Sequence, residues 1–196
     1  MIVNRRPVSR ATAALASLLA LSVGPARAQT TPVPVQMAHD ALTLFAEGCI
    51  ETLADPRRVP AKMTQFKATK LDDAEAAKLT ASKPGGQAWR VDSPAGAQLV
   101  LTLVPPIACN VMVRRADATT LQDGATGTLD AIAKGTAIRY QLEHHSERKA
   151  PGGTEETTEF LLQLHGDRDA SVSVTTNPGT EEDLQGLLSF VLLGLK

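Results

Sequence analysis

From Gln36 to Ala54 the apolar residues Ala38, Leu42, Phe45, Ala46, Cys49 and Leu53 recur at spacings of three and four, which is the repeat of one buried helix face. Asp55-Pro56 ends this helix, because a residue that precedes proline is pushed out of the helical region. Residues 57–70 keep no sustained period and read as loop, with room for a short strand. A second helix is announced by Asp72 as N-cap, with Glu75 three residues later and Leu71 placed to staple onto Ala76; it stops near Pro84-Gly85-Gly86. From there the period changes to two. Gln87 to Asp92 reads as a strand carrying Trp89, and Ser93-Pro94-Ala95-Gly96 as a turn. Leu99, Leu101 and Leu103 then share one strand face against Gln98 and Thr102, until Pro105-Pro106 breaks the ladder. The next strand sets Ile107, Cys109, Val111 and Val113 against Asn110, Met112 and Arg114.

Thr126 to Lys134 makes a short helix through Leu129 and Ile132 with Gly135 as its stop, and Gly124 and Gly127 argue against an earlier start. Ala137 to Glu147 and Glu155 to His165 form a hairpin around Pro151-Gly152-Gly153. Setting Ile138, Tyr140 and Leu142 opposite Leu164, Leu162 and Phe160 matches apolar with apolar and requires an odd-numbered loop. Ala170 to Thr176 is a further strand after the Gly166 to Asp169 turn. At the end of the chain Leu184, Leu187, Leu188, Val191, Leu192 and Leu195 again fall on one helical face, behind an acidic Glu181-Glu182-Asp183 start. Phe190 and Leu193 widen that stripe, so a partner helix or a membrane surface stands as an alternative to packing on the sheet. No Lys or Arg precedes Lys196 in this segment, which argues against an anionic membrane. The expected fold is α+β: an antiparallel sheet of about five or six strands packed by N- and C-terminal helices.

The first 28 residues follow a different pattern. Arg5, Arg6 and Arg10 lie ahead of an apolar run from Ala11 to Val23, and Ala26-Arg27-Ala28 supplies small residues for cleavage after Ala28. The run is about half the roughly 20 residues a membrane span needs, so residues 1–28 read as a cleavable signal peptide. Arg5-Arg6 is compatible with twin-arginine export as well as with an ordinary basic n-region. Residues 29–35 form a flexible lead-in, and residues 36–196 one α+β domain. The expected location is the periplasm or the exterior. Cleavage removes 28 of 196 residues, leaving 168, and takes away four of the 20 basic residues and none of the 21 acidic ones, so the net charge moves from −1 to −5. An acidic chain with scattered aromatics, Phe45, Phe66, Trp89, Tyr140, Phe160 and Phe190, lacks the basic stripes and stacking platforms of a nucleic-acid binder.

In an oxidising compartment the only two cysteines, Cys49 and Cys109, are expected to pair. Each falls on the apolar side of its own element, one by helical and one by strand periodicity. The rival reading, a reactive thiol, has no Cys-x-x-Cys spacing behind it.

Candidate chemistry is sparse. The four histidines are His39, His144, His145 and His165. The expected register sets His144 opposite Thr158 and His165 opposite Ala137, about seven residues or roughly 23 Å apart and on opposite faces, so they do not converge on a metal. His39 has no His-x-x-x-His or His-Glu-x-x-His partner. There is no Gly-x-Ser-x-Gly or Ser-x-x-Lys motif. Gly85-Gly86 and Gly152-Gly153 lead into no phosphate-binding helix, and no cofactor motif is present. The acidic runs Asp72-Asp73, Glu155-Glu156 and Glu181-Glu182-Asp183 read as helix starts and strand edges.

The combination Phe45-x-x-x-Cys49, Gly86-x-x-Trp89 and Cys109-x-Val111 resembles a group of short, uncharacterised exported proteins and lipoproteins of Proteobacteria, over about a third of the chain. That resemblance implies a secreted two-cysteine domain and carries no catalytic residues. Unlike the lipoprotein members, this chain has no cysteine at the cleavage site. The expectation is a non-catalytic binding or accessory domain of the cell envelope, whose partner is an envelope protein or a small ligand, with no stable membrane span after cleavage. The alternative is an envelope hydrolase with a cleft that sequence does not display.

Overall fold

The alternation that starts at Leu99 marks the middle of the molecule. In the structure, a computed structural model describing residues 31, 33–105, 108–150, 152–164, 168–177 and 184–194, Leu99, Leu101 and Leu103 are buried beneath the N-terminal helix. The helices are α1 (Val33–Phe45), continued by a π-helical turn (Ala46–Ile50), α2 (Val59–Gln65), α3 (Asp73–Leu79) and α4 (Ala118–Gly135). The strands are β1 (Thr69–Lys70), β2 (Gln87–Asp92), β3 (Gln98–Val104), β4 (Ala108–Val113), β5 (Arg139–Ala150), β6 (Gly153–Gln163), β7 (Asp169–Thr176) and β8 (Gly186–Leu192). All pair antiparallel in one eight-stranded sheet of order β1-β2-β3-β4-β8-β7-β6-β5. The fold is therefore α+β, with more strands than the five or six expected.

One face of the sheet is the core. Trp89, Leu101, Val111, Leu188 and Val174 follow one another across the paired strands, and all are buried. Over this face lie α1, through Met37, Ala38, Ala41 and Phe45, and α4, through Leu121, Ala125 and Leu129. The opposite face carries half-buried Val100, Met112, Leu187 and Val191, with α3 covering only the β2 edge, where Leu71, Ala76 and Ala88 cluster. Across its middle Ser189 Oγ donates to Asn110 Oδ1 at 2.7 Å and Asn110 Nδ2 to Thr102 Oγ1 at 3.1 Å. Polar groups in this row thus satisfy one another.

Several local expectations hold. Asp72 caps α3 by accepting from the Glu75 N–H at 2.8 Å, and Leu71 packs with Ala76. The strand 87–92 and the Ser93–Gly96 turn are present, with Gly96 at φ +80°. Cys49 and Cys109 form a disulfide, both fully buried, with Cα atoms 5.5 Å apart. The bond joins the π-turn to β4.

Others are corrected. The C-terminal helix does not form; residues 186–192 are β8, inserted between β4 and β7. Leu188 and Phe190 face the core while Leu187 and Val191 face the other side, and a strand apolar on both faces reads as an unbroken apolar run that helical periodicity fits equally well. The helices that cover the sheet are therefore α1 and α4. No helix among the described residues is long and apolar enough to cross a membrane. Residues 181–183, the acidic start assigned to that helix, and the signal segment 1–28 lie outside the described residues.

Helix α4 begins eight residues before the expected start, because Asp117 caps it by accepting from the Thr120 N–H at 2.8 Å and the Thr120 hydroxyl at 2.6 Å. Gly124 is kept inside it by close packing: a Cβ there would meet Leu42 Cδ1 at 2.3 Å. The loop expected over 57–70 contains α2, whose apolar face is only Val59 and Met63, too short to show a period. The hairpin keeps Tyr140 opposite Leu162 and Leu142 opposite Phe160, but a bulge between Leu142 and His144 shifts the register by one. Ala150 then pairs with Gly153, so the loop has two residues, not an odd number.

Two stability predictions follow from this architecture. The disulfide closes a loop with a sequence separation of 60. Cys49→Ala/Cys109→Ala should therefore lose about 4 kcal/mol in guanidinium unfolding on chain-entropy grounds. Gly186 lies in β8 directly beneath α4, where a Cβ would meet Leu121 Cδ1 at 2.4 Å and Val113 Cγ1 at 2.8 Å. Gly186→Ala should cost about 1–3 kcal/mol in the same assay.

Candidate functional site

The flank of α1 that faces α4 runs on without a break into the π-turn. Hydrogen bonds from the Glu51 N–H to Ala46 O at 2.9 Å and from the Ala54 N–H to Cys49 O at 3.0 Å carry the wider five-residue step of that turn. Thr52 repairs the displaced ladder, its buried hydroxyl donating to Gly48 O at 2.6 Å. After it, Leu53 and Ala54 take left-handed backbone (φ 54° and 52°) and end the element, with Leu53 half-buried against the core.

Opposite this wall stands α4, which presents Gly124, Gly127, Thr128, Ala131, Ile132 and Gly135. Between the two is an open groove of about 920 Å³, lined by Leu42, Ala46, Ile50 and Ile138 among others. Its volume is within the roughly 300–1,000 Å³ usual for small-molecule sites. The lining is predominantly apolar, with His39, Thr43, Glu47, Glu51 and Thr128 around the mouth. Small side chains on α4 make the space, since nothing lies within 4 Å of a Cβ built on Gly127.

Polar ties hold both walls. Lys62 of α2 donates to Glu47 Oε2 at 3.2 Å and Glu51 Oε2 at 3.3 Å. The bond to Glu47 is the chief reason that the Lys62 ammonium is held above its ordinary pKa, with burial acting against it and the Glu51 bond adding to it. The two acids and one lysine leave that rim one unit negative. On the other wall Gln122 Nε2 reaches Glu156 O at 3.2 Å and Thr176 Oγ1 at 3.2 Å, and Tyr140 Oη donates to Asp130 Oδ1 at 2.5 Å. The Asp130 bond, with burial second, raises the Tyr140 phenol above its usual range. Tyr140 also meets Phe160 edge-on, with ring centres 5.8 Å apart.

Of the described histidines, only His39 borders this groove, and it is exposed. The bulge places His144 opposite Glu159 rather than Thr158 and brings His145 opposite Thr158. His145 Nδ1 lies 3.1 Å from Thr158 Oγ1, and its ring nitrogens lie 3.9 Å from Glu147 and from Glu156. Hydroxyl, imidazole and carboxylate thus meet, but on an open hairpin face, where water competes with each contact. His165 lies outside the described residues. Among the described residues no group of three or more His, Cys, Asp or Glu is placed to hold a metal ion. The acidic pairs have local duties: Asp72 caps α3, and Glu155 takes an ion pair from Arg148 at 2.8 Å.

The groove itself was not read from the sequence. Its signal was the run of small residues at positions 124, 127, 128, 131 and 135, which became a helix face only once α4 was known to start at Ala118. No family model, no curated protein and no solved structure matches this chain.

Asp117 fixes where the α4 wall begins. Hydrogen bonds from the Thr120 hydroxyl and then the Thr120 N–H hold its carboxyl below the usual carboxylate range. A folded pKa below the unfolded one stabilises the protein above the unfolded value, and that gain is lost as pH falls through the folded value. Asp117→Ala should therefore cost about 1 kcal/mol at neutral pH. Urea unfolding repeated at falling pH should show the gap to the wild type closing in the acid range.

Proposed function

We propose that this chain is an exported, non-catalytic binding domain of the cell envelope, and that the groove between α1 and α4 holds a small apolar or amphipathic ligand. Export rests on the three-part pattern of residues 1–28 and is supported by the core disulfide, since such bonds persist in oxidising compartments. A binding role is supported by the groove, which combines ligand-sized volume with an apolar lining and a mouth ringed by hydroxyls and carboxylates.

The observation that carries the reading is Gly127. Glycine within a helix costs about 1 kcal/mol relative to alanine. Gly124 is explained by Leu42, but Gly127 stands in the middle of α4 with open space where its side chain would be. Packing makes no demand there, while a groove that must stay open does.

The test separates the two demands. Gly127→Leu should raise the unfolding free energy by about 1 kcal/mol, because leucine is a strong helix former. The same change should fill the groove. Wild-type protein should bind N-phenyl-1-naphthylamine saturably with enhanced fluorescence, and the variant should bind it at least about tenfold more weakly. Absence of saturable binding, or equal binding by the two proteins, would remove the groove as a ligand site.

A further inference from the structure

A π-turn takes up one residue more than an α-turn, so the residues after it are set back by one position, about 100° of rotation at 3.6 residues per turn. In this chain the turn is Ala46–Ile50, and Ala46, Glu47, Ile50, Glu51 and Leu53, within it or just after it, all line the groove. The inserted residue therefore decides which side chains that wall presents. Such turns are rare, and one persists only where contacts from outside the helix hold it. Cys49 in this turn is bonded to Cys109 of β4, with the Cα atoms 5.5 Å apart and both residues fully buried. Next to it the turn is packed tightly against its surroundings, since a Cβ on Gly48 would meet Leu101 Cδ1 of β3 at 2.7 Å and Met63 Cε of α2 at 3.1 Å. Two thiols would impose no such approach, because a thiol behaves as a small hydrophobe with only a weak S–H donor.

We propose that the Cys49–Cys109 bond is a latch for the ligand site. The oxidised chain holds the π-turn and binds; in the dithiol chain the turn relaxes to an α-turn, which rotates Ile50 and Glu51 out of the groove wall and abolishes binding. This rests on the groove being the ligand site. The latch closes by exchange with a disulfide-bonded oxidant of an oxidising compartment. The thiolate of one cysteine attacks the oxidant's disulfide, forming a mixed disulfide and releasing one oxidant thiol. The thiolate of the other cysteine then attacks the protein sulfur of that mixed disulfide and displaces the second oxidant thiol. The protein gives up two electrons and two protons, and the oxidant takes up both as a dithiol. Exchange needs access to a sulfur, and both cysteines are fully buried once the core has formed, so the closed latch resists reduction in the folded protein. Competence to bind is thus acquired with the disulfide and then kept.

The test compares four preparations of the mature protein: oxidised wild type, wild type unfolded and refolded in excess dithiothreitol, Cys49→Ala/Cys109→Ala, and Leu71→Ala. The last cuts into a separate cluster with Ala76 and Ala88, and so controls for lost stability alone. Sodium sulfate supports folding throughout, near-ultraviolet circular dichroism checks it, and either bond-free form serves if the other does not fold. Both bond-free forms should bind N-phenyl-1-naphthylamine at least about tenfold more weakly than the oxidised protein, and Leu71→Ala within about twofold of it. Folded oxidised protein should keep its affinity in dithiothreitol. A second readout needs no ligand: scalar coupling across hydrogen bonds should link the Glu51 nitrogen to the Ala46 carbonyl carbon in the oxidised protein, where that bond is 2.9 Å long, and to the Glu47 carbonyl carbon in the bond-free forms. Binding by a bond-free form equal to that of oxidised wild type, an equal loss in Leu71→Ala, or an unchanged Ala46 coupling without the bond would each overturn the latch while leaving the groove as a ligand site. An oxidised protein that binds no probe would remove the ligand site, and the latch with it.

Discussion

The insertion of β8 between β4 and β7 is the contact on which the rest of the molecule depends. Without it the chain would hold two separate meanders, β1–β4 and β5–β7, each ending in a long unpaired edge. Exposed edges of that length template aggregation. Pairing Cys109 with Phe190 on one side and Val172 with Phe190 on the other makes a single surface wide enough for two helices to lie side by side. Gly186, at the start of the same strand, is the point at which Leu121 of α4 comes down onto the sheet. The seating of β8 therefore sets the height and angle of α4, and through α4 the width of the groove.

The disulfide plays the corresponding part for the other wall. A π-turn is a less stable geometry than a regular helix and persists where surrounding contacts hold it. Here Cys109 holds it from the sheet below, Thr52 satisfies the carbonyl that the turn displaces, and Lys62 bridges Glu47 and Glu51 from α2. Three independent ties converge on five residues, Ala46–Ile50, of which Ala46, Glu47 and Ile50 also line the groove. Recognition surfaces carried on immobilised elements lose less entropy when occupied.

Where local chemistry decides structure, the sequence is a faithful guide. The Asp72 cap, the Leu71–Ala76 staple, the strand at 87–92 and the inward-facing Cys49 and Cys109 all follow from spacings within one element. The failures come where an interaction between distant elements overrides a local pattern. Residues 184–195 satisfy a helical repeat in sequence, but pairing with β4 on one side and β7 on the other makes 186–192 a strand. Gly124 and Gly127 weaken the helical signal of α4, yet the first is required by Leu42 and the second faces open space, and neither fact is visible along the chain. The bulge after Leu142 likewise escapes alternation, because the pattern on either side of it is polar and tolerates either register. The groove was illegible for the same reason: it is made by elements that meet only through the fold.

Helix α1 forms one wall of the groove, and its sequence carries more apolar surface than a surface helix needs. A surface helix needs one apolar stripe, which α1 supplies with Met37, Ala38, Ala41 and Phe45. Yet Leu42 on one flank and Leu44 on the other are buried as well, while Asp40, on the flank of Leu44, keeps one buried oxygen without a partner. An unspecialised helix would place a soluble side chain on each flank and avoid that cost. Wide apolar flanks fit a helix that serves as a partition, with its underside committed to the sheet and one flank forming a wall of the groove. The Cys49–Cys109 bond lies just beyond its end, so the element that walls the groove is also tied covalently to the core.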